Sequence, residues 1–506
     1  MTNIKFGTSG FRGIIGDNWT REVVQRIGRA LSRLVGSNGK VLGGNSNFHK
    51  GEAVRVVVGF DSRFMGRESA EWFCESLGAG FDVTMFEVPV PTPVITYGAV
   101  GDFDFGVMMT ASHNPYQYNG IKVFLSGGKE AGDEFFGELS KYLSEQEEGE
   151  KLLRVQVPLR RSGTPSRPAN SNQSQVRQGV VVDSPRLSQR DLHSQEFFAS
   201  SPIVYTRDTS AYRDKVLSAL TNSKKIGRMR VLFNAMHGSS AGLVCEILDR
   251  LGVKYEVENA KPDAYFGGKV PAPYVYSLTA QAKRVVDEGF DLGFALDGDG
   301  DRVAFIDSDG SFWDCNYLMA LLWRGGPLAK NHFSSSLAKK LVEKRGEKVF
   351  ETAVGFKHLG KVLEETNACI AGESTGIAFK DISLAKDGIY TTFLLLDTLA
   401  REGKSIREMV GDIIKEVDFP THYIEQAYIS HSQPKPDVPE LGMRVEDIIR
   451  FPEGHKICLE NGYWAGVRQS GNEPVARIYV EMPCKKTAEA VQKKLEDFYG
   501  LKERQK

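Results

Sequence analysis

Short apolar runs rich in β-branched residues alternate with amphipathic stretches along most of the chain. Residues 55–60 (RVVVGF), the run VTMFEV and the run DFDFGVMMT predict buried strands, and GRESAEWFCESLGAGF predicts a helix between the first two. The same succession returns at residues 230–258 and 290–310, and again from LMALLW to ACIAGE. Strands that alternate with helices predict parallel βαβ units, so the pattern indicates one α/β architecture used repeatedly.

The pattern changes near residue 421. The runs IEQAYIS, KICLEN and GYWAGVRQSGNEPVARIYVEM predict short strands, and TAEAVQKKLEDFYG predicts a helix. Half-buried strands joined by short connections are typical of antiparallel sheets. The tail therefore predicts a small antiparallel sheet with a helix.

Between the first two rounds, residues 154–195 break the rhythm. This segment contains seven arginines and seven serines against two aspartates, with few large apolar residues. Such a composition cannot bury enough apolar surface to offset the entropy lost on ordering. We predict that residues 154–200 form a disordered insertion or linker, either a tolerated surface insertion or a segment used for docking or phosphoregulation.

Composition and charge limit the classes of protein to which the chain can belong. Hydrophobic residues make up 41% and charged residues 25%, as in ordinary globular proteins. Lysine and arginine number 64 against 65 acidic residues, so no basic field favours nucleic acid or an anionic membrane. No apolar run approaches the roughly 20 residues that span a bilayer, and the opening MTNIKFGTSGFRG lacks the pattern of a signal peptide. We expect a cytoplasmic protein.

The cysteines give little chemical signal. The chain has six, scattered along its length with no C-x-x-C pair. This spacing argues against a zinc knuckle and against a disulfide framework. We expect the cysteines to be buried thiols.

The densest chemical signal is LDGDGDR, which directly follows the predicted strand FDLGFA. Its Asp297, Asp299 and Asp301 alternate with glycines, so three carboxylates can converge on one hard cation. An EF-hand loop is excluded, because its sixth position would be Arg302 rather than glycine and its twelfth Ser308 rather than glutamate. A purely structural acidic turn stays open, although neighbouring carboxylates repel one another unless a cation offsets them. The adjacent arginine indicates that an anion approaches the same cation.

A second signal is TASHNPYQYNGIKVF, which begins where the predicted strand DFGVMMT ends. Open parallel sheets place ligands at this end of their strands. Ser112 and His113 are neighbours here, but no G-x-S-x-G elbow surrounds the serine, which argues against a serine hydrolase. A serine esterified by phosphate would supply the anion that the aspartate loop and Arg302 require.

Three further loops carry groups that recognise anions or hydroxyls. GTSGFRG contains Arg12, and RQSGNEP combines Arg468 with Ser470 and a flexible backbone. GESTG offers a carboxylate and a hydroxyl suited to the vicinal hydroxyls of a sugar. Each loop taken alone is also compatible with a glycine turn or a solvated charge.

Together these motifs resemble one family, the α-D-phosphohexomutases, which include phosphoglucomutases and phosphomannomutases. The resemblance runs in the family's order through GTSGFRG, TASHNP, DGDGDR, GFKHLG, GESTG and RQSGNEP, and TASHNP with DGDGDR is its most specific part. It implies an α/β fold of three related mixed α/β domains plus a smaller C-terminal α+β domain around a central cleft. We accordingly predict domains at 1–153, 201–310, 311–420 and 421–506, with 154–200 as the insertion.

The resemblance also implies a reacting centre. Ser112 would be the phosphoserine, and together with it one Mg²⁺ would be held by Asp297, Asp299 and Asp301. The remaining catalytic positions that the resemblance implies are Arg12, His113, Lys122 and Arg302. Of these, the lysine is the candidate general acid/base.

Other positions are implied to bind the substrate. Glu373 and Thr375 would contact sugar hydroxyls, and the non-transferring phosphate would be held by Arg468, Ser470, Gly471 and Asn472. In GFKHLG, Lys357 and His358 follow the Gly-aromatic-Lys pattern of glucose-type mutases rather than the Gly-Asp-Arg of glucosamine mutases. Two positions depart from the family pattern: Thr375 stands for a serine and Asn472 for a threonine. Both replacements keep a hydrogen-bonding side chain.

The implied reaction interconverts a hexose 1-phosphate and a hexose 6-phosphate, with glucose as the first candidate and mannose as the second. A hexose 1,6-bisphosphate would be the bound intermediate and activator. The enzymatic alternative is a phosphoglucosamine or phosphopentose mutase, and the other alternative is a silent sugar-phosphate-binding or scaffold relative. We expect a phosphorylated hexose as the partner, no nucleic acid and no membrane, and a monomer or homodimer.

Overall fold

The computed structural model describes residues 4, 6–7, 10–37, 53–156, 202–430, 432–470 and 475–501, and of 147–156 the backbone alone. These residues form four sheets with associated helices, three of them mixed α/β units and the last an antiparallel sheet with a helix. The predicted fold class is confirmed. Within the described ranges, no helix is long and apolar enough to cross a bilayer.

The first unit is a mixed sheet with helices, and two of these helices pack against its central strand. Its elements are β1 (Phe11–Ile14), α1 (Arg21–Ser37), β2 (Val54–Phe60), α2 (Gly66–Glu75), β3 (Phe81–Phe86), α3 (Thr92–Gly98), β4 (Phe105–Met109), β5 (Tyr118–Leu125), β6 (Lys129–Glu130), α4 (Asp133–Gln156) and β7 (Ile203–Thr206). The strand order is β1-β5-β4-β2-β3-β7, with β6 paired to β5. Because α2 and α3 both pack against β2, every residue of that strand except Arg55 is buried.

The second and third units repeat this plan with fewer strands. The second contains α5 (Ser210–Ser218), α6 (Ser223–Ile226), β8 (Arg230–Asn234), α7 (Ala241–Leu251), β9 (Lys254–Glu258), α8 (Thr279–Asp287), β10 (Leu292–Leu296), β11 (Val303–Asp307) and β12 (Phe312–Trp313). The third contains α9 (Cys315–Leu322), β13 (Leu328–Asn331), α10 (Leu337–Lys344), β14 (Val349–Thr352), α11 (Phe356–Glu365), β15 (Ile370–Glu373), β16 (Gly376–Phe379), α12 (Gly388–Glu402) and α13 (Ile406–Val417).

Each of the three units has the same strand arrangement at its centre. The orders β5-β4-β2-β3, β11-β10-β8-β9 and β16-β15-β13-β14 correspond strand by strand. In each, the first pair is antiparallel and the others are parallel. The loop inside the antiparallel pair carries TASHNP in the first unit, DGDGDR in the second and GESTG in the third. Three chemical motifs therefore occupy one equivalent position of a repeated fold.

The structure departs from the sequence analysis, or adds to it, in three places. The sequence analysis predicted parallel βαβ units and gave no direction for the strand after each motif loop, which runs antiparallel to the strand before it. Strand β7 follows the boundary predicted at residue 201 but pairs with β3 of the first sheet. Among the cysteines, Cys74 and Cys315 are buried as expected, whereas Cys484 is exposed. The segment predicted to be disordered, 154–200, lies outside the described residues from 157 onward.

The last unit is the antiparallel sheet that the tail predicted. It consists of β17 (His422–Ile429), β18 (Val445–Phe451), β19 (Gly454–Leu459), β20 (Trp464–Gln469), β21 (Val475–Met482) and α14 (Lys485–Tyr499). The strand order is β17-β21-β20-β19-β18, and every pair is antiparallel. Strand β18 was not singled out from the sequence.

An aromatic side chain and a buried carboxylate are among the groups that attach this last unit to the third. The ring centroid of Phe333 lies 4.8 Å from that of Tyr479 and 6.1 Å from that of Trp464. A Cβ on Gly466 would approach the Phe333 ring to 2.7 Å, so only glycine admits this side chain at the strand. Beside it the fully buried Glu481 accepts hydrogen bonds at its two carboxylate oxygens from groups of both units. These donors are the Ser335 hydroxyl, the Ser336 amide, the Thr421 hydroxyl and the Trp464 indole.

Candidate active site

The loop between β4 and β5 places Ser112 against the second unit. The serine is 1% exposed, and its φ of +51° lies in the left-handed region that L residues seldom adopt. Its Oγ donates a hydrogen bond of 2.8 Å to Oδ2 of Asp297 and lies 3.4 Å from Nδ1 of His113. The two strongest sequence motifs therefore meet, although they stand in different units of the chain.

The three aspartates of the β10–β11 loop converge as their spacing predicted. All three are buried, and each offers a carboxylate oxygen within 4.8 Å of the others. Oδ1 of Asp299 and Oδ1 of Asp301 are buried and have no hydrogen-bond partner among the described residues. Buried carboxylate oxygens without partners are costly, and an oxygen-only donor set suits a hard divalent cation. The residues present thus fit the Mg²⁺ that the family resemblance implies.

Lys122, on β5, supplies positive charge to the aspartate cluster. Its Nζ donates to Oδ2 of Asp299 at 2.7 Å and to Oδ2 of Asp301 at 2.6 Å. Burial alone would lower the pKa of Lys122, but these two carboxylates raise it above its ordinary value. Because its pKa is raised, Lys122 is an ammonium group in this arrangement. At Asp297 the shift has another cause: burial and the charges of the two neighbouring aspartates raise its pKa well above the usual range.

Two arginines and one neutral histidine are the other polar side chains around the serine that the sequence analysis named. Nε of Arg302 lies 3.9 Å from Oδ2 of Asp297 and 3.8 Å from Oδ1 of Asp301. Arg12, on β1, donates to Oδ1 of Asn114 at 2.5 Å. Burial, followed by the charges of the two arginines, lowers the pKa of His113 well below its usual value. His113 is thus neutral at pH 7 and adds no charge.

The GESTG loop lies next to the aspartate loop. Glu373 ends β15, and its Oε1 accepts a hydrogen bond of 3.1 Å from the hydroxyl of Thr375. Lys386 joins the two loops, because its Nζ lies 3.8 Å from Oε1 of Glu373 and 4.0 Å from Oδ2 of Asp301. The Lys386 side chain is only 5% exposed, so this bridge is held inside the protein.

The last unit brings two arginines and one carboxylate. Arg468 ends near the tip of β20 and is 9% exposed, and its buried Nε has no hydrogen-bond partner among the described residues. Arg477 lies directly opposite it on β21, with Nε 3.7 Å from Oε1 of Glu425. Oε2 of Glu425 accepts a hydrogen bond of 2.7 Å from the Ser374 hydroxyl of the GESTG loop. Ser470 follows β20, and the predicted positions Gly471 and Asn472 lie outside the described residues.

The GFKHLG motif is not drawn into the serine–aspartate centre. Lys357, in the first turn of α11, pairs instead with Asp133 of the first unit, Nζ to Oδ1 at 2.5 Å. Burial and the charge of Lys357 lower the pKa of His358. Both residues therefore lie at the contact between the first and third units.

Comparisons with known proteins agree with this arrangement. Residues 3–150, 210–310 and 315–417 match the models for phosphoglucomutase/phosphomannomutase alpha/beta/alpha domains I, II and III, and 435–498 matches the model for the C-terminal domain. The chain belongs to the phosphoglucomutase/phosphomannomutase family. Proteins of this family are phosphotransferase mutases of the isomerase class, and the chain is an enzyme of phosphohexomutase type.

Relatives of similar identity carry names for different sugars. A "Phosphoglucomutase/phosphomannomutase" of Thermococcus kodakarensis is 28% identical over 96% of this chain and 95% of its own length. A "Probable phosphoglucosamine mutase" of Methanosphaera stadtmanae is 26% identical over 97% of both chains. A solved phosphoglucomutase/phosphomannomutase family protein of Burkholderia thailandensis shares the fold, with a TM-score of 0.69, 20% identity and 97% of each chain covered.

The structure adds four residues that sequence analysis of this family member missed. Asp61 and Arg63 directly follow the buried strand β2, at the same sheet edge as Ser112. Charged residues at the carboxyl end of a predicted parallel strand are the signal that would have found them. Lys386 belongs to no motif and Arg477 lies three residues beyond RQSGNEP, and only the tertiary structure shows that both reach the site.

Proposed function

We propose that this enzyme moves a phosphoryl group between O1 and O6 of a hexose monophosphate, with glucose as the preferred sugar and Ser112 as the phosphoryl carrier. The observation that carries the proposal is the 2.8 Å contact between Ser112 Oγ and Asp297 Oδ2. It puts a nucleophile of one unit on the buried three-carboxylate cluster of another. Phosphoryl transfer needs this combination of positioning and charge neutralisation more than it needs covalent chemistry from the protein.

Two mirror-image transfers make up the reaction. In the first, the P–O bond to Ser112 Oγ breaks while a free hydroxyl oxygen of the sugar forms a new P–O bond. The sugar hydroxyl loses its proton and the serine oxygen gains one, so the products are free Ser112 and a hexose 1,6-bisphosphate. In the second, the serine oxygen loses its proton and takes the phosphoryl group that the substrate brought, and the sugar oxygen that carried this group becomes a free hydroxyl. The product is the isomeric monophosphate, and Ser112 is phosphorylated again. No phosphate or water is consumed overall.

Residues of the chain have distinct tasks in this scheme. Lys122, an ammonium beside Asp299 and Asp301, is the general acid/base: it gives a proton to the serine oxygen as that oxygen leaves, and the amine so formed takes the proton of the sugar hydroxyl. Arg12 and Arg302 add positive charge where the transferring phosphoryl group lies. Mg²⁺, when bound by the three aspartates, neutralises charge on that group. Burial of Ser112 excludes water, which would otherwise hydrolyse the phosphoserine.

The sugar would be bound between the third and fourth units. Glu373 and Thr375 offer a carboxylate and a hydroxyl for sugar hydroxyls, and Arg468 with Ser470 offers donors for the phosphate that is not transferred. The Gly-Phe-Lys of the GFKHLG motif supports glucose. Since relatives of comparable identity are named for glucosamine as well as for glucose and mannose, a phosphoglucosamine or phosphopentose mutase is the second candidate.

Two measurements test the proposal. Intact-mass spectrometry of the purified chain should show a species heavier by one phosphoryl group, and peptide mapping should place that group on Ser112. Turnover of glucose, mannose, glucosamine and ribose 1-phosphates, measured side by side with the matching bisphosphate as activator, should be fastest with glucose. A phosphorylated Ser112 with glucosamine 1-phosphate as the fastest substrate would keep the mechanism and overturn the sugar.

The silent, non-enzymatic alternative makes a different prediction. A binding or scaffold relative would bind glucose 6-phosphate without turning over any of the four sugars. Free phosphate release that exceeds isomerised product would instead indicate a phosphatase. Either result would overturn the proposed mutase reaction.

A further inference from the structure

Asp61 and Arg63, in the loop after β2, form a buried ion pair beneath the serine loop. Nε of Arg63 lies 3.1 Å from Oδ2 of Asp61, and both side chains are fully buried. A buried pair of this kind is weak evidence for stability, because desolvation offsets much of its attraction. Its position directly under Ser112 points to another purpose.

All five N–H groups of the Arg63 guanidinium are used inside the protein. Besides Asp61, the acceptors are main-chain carbonyls of the serine loop. They belong to Ser112, to Asn114 at 2.7 Å, to Pro115 at 2.9 Å and to Tyr118 at 3.0 Å. A guanidinium has five such donors and no acceptor, so none is left for a phosphate. This separates Arg63 from Arg12 and Arg302, which line the reacting centre.

The other partner of the pair reaches the opposite side of Ser112. Oδ2 of Asp61 accepts a hydrogen bond of 2.6 Å from the hydroxyl of Thr110, and that hydroxyl accepts one of 2.7 Å from the Ser112 amide. The carbonyl of Ser112 is bound by Arg63, and its amide is bound by Thr110. Both main-chain groups of one residue are therefore fixed by the buried pair, the carbonyl directly and the amide through Thr110.

This arrangement matters because Ser112 has an unfavourable backbone conformation. A non-glycine residue at a φ of +51° persists only where its surroundings hold it there. Relaxation of the loop toward a common conformation would turn Oγ away from Asp297. The ring of Phe266, in the second unit, covers the guanidinium at 4.8 Å and ties the pair to the unit that carries the aspartates.

We propose that Asp61, Arg63 and Thr110 are positioning residues that hold the Ser112 oxygen in line for phosphoryl transfer. This inference rests on the proposed role of Ser112 as phosphoryl carrier. The three residues act on the reacting oxygen and not on the hexose phosphate, which binds at the third and fourth units. Their loss should lower kcat and leave KM nearly unchanged.

Thr110→Val tests the inference, because valine keeps the shape and removes the hydroxyl. We expect kcat for glucose 1-phosphate, with glucose 1,6-bisphosphate as activator, to fall by about 10- to 100-fold, with KM changed less than about twofold. Thr110→Ser keeps the hydroxyl and should retain most of the wild-type kcat. Thr398→Val is the matched control, since among the described residues that buried hydroxyl bonds a helix carbonyl alone, at 2.8 Å from Leu394 O.

Three further results decide the matter. Wild-type kcat in a folded Thr110→Val chain, or a loss that appears only in KM, would overturn the inference. If Thr110→Val does not fold, Arg63→Lys carries the same test, because lysine keeps the charge but has too few donors for four carbonyls. This variant should lower kcat by at least as much as Thr110→Val.

Peptide mapping of the wild-type chain separates the two proposals. Active enzyme without phosphate on Ser112 defeats the proposed function, whereas phosphorylated Ser112 with an unimpaired Thr110→Val defeats only the positioning role.

Discussion

The serine–aspartate centre and the arginine loop of the last unit, which begins at Arg468, differ in how their polar groups are held. Ser112 and the three aspartates are buried, and a network of hydrogen bonds from Arg63, Thr110 and Lys122 fixes them. Arg468 lies at a strand end, and its Nε has no partner among the described residues. In the first region groups of the protein fix the serine, and the oxygens of Asp299 and Asp301 without partners are those that would hold a cation. The second region presents a guanidinium nitrogen that has no partner among the described residues.

This difference indicates how rate and affinity are divided. Groups fixed before the substrate arrives need no reorganisation during the transfer, which is the condition under which charges lower a barrier most. Groups that are paired only by the substrate contribute to ground state and transition state alike. Variants of the first region should therefore change kcat or stability, and variants of the second should change KM.

The largest expected effect is that of Ser112→Ala. Without the serine oxygen there is no carrier for the phosphoryl group, so turnover should fall by more than about 10⁴-fold. Alanine has the same backbone restrictions as serine, and the melting temperature should change by only a few degrees. Coupled-assay kinetics and differential scanning fluorimetry measure the two quantities. Wild-type turnover in the purified variant, with contaminating mutase excluded, would contradict the comparison at its root.

Lys122→Met tests whether the centre is held together by charge. The change leaves Asp299 and Asp301 buried without their cation, which typically costs about 3–5 kcal/mol in free energy of unfolding. In EDTA the variant should be destabilised by an amount of that order, and Mg²⁺ should restore part of the loss. Denaturant unfolding in each buffer gives the values.

Lys129→Met is the control for this experiment. Its ammonium pairs with Glu364, which is 36% exposed, so the change should cost less than about 1 kcal/mol and show no dependence on Mg²⁺. Equal losses in the two variants would show that burial of the aspartate cluster carries no special cost.

The same two regions show which parts of the structure were predictable. The three aspartates could be found because they stand within five consecutive positions. Their convergence then follows from the local geometry of the chain. The strand pattern predicted the α/β units because buried parallel strands have a distinctive composition. Both signals are local in the sequence.

The missed features depend on contacts between distant segments. The direction of β5, β11 and β16 was missed because apolar composition does not distinguish an antiparallel neighbour from a parallel one. Lys386 joins Asp301 to Glu373 across two units, and nothing near it in the sequence indicates that role. Arg63 fixes a loop 49 residues away, which only the tertiary structure reveals.

Arg468→Ala tests the second region. Removal of a donor that is available to a phosphate should raise KM for the hexose phosphate by about 10- to 100-fold, with kcat changed by less than about threefold. Arg444→Ala, at an exposed position of the same unit, is the control and should leave both constants unchanged. A loss confined to kcat would mean that this arginine acts in the transfer and that the two regions are not divided as we infer.

The smallest effect concerns the contact that carries the arginine loop. Lys456, on β19, donates a hydrogen bond of 2.6 Å to the carbonyl of His332 in the third unit. Burial, and then the charge of Lys330, lowers the pKa of Lys456 to about 7, although Glu351 and Glu481 act in the opposite direction. Since its unfolded pKa is higher, near 10.5, the unfolded chain binds the additional proton between these values. Stability from this group therefore rises as pH increases from 7 toward 10.5.

Lys456→Met isolates that contribution. The difference in free energy of unfolding, wild type minus variant, should increase by about 1–2 kcal/mol between pH 7 and pH 9, in favour of the wild type. The exposed Lys485→Met should show no such slope, because that ammonium is in contact with solvent in the folded chain as in the unfolded one. Denaturant unfolding at three pH values measures both. A flat difference for Lys456→Met would mean that this lysine does not make the attachment of the last unit dependent on pH, and the contrast between the two regions would then rest on ligand contacts alone.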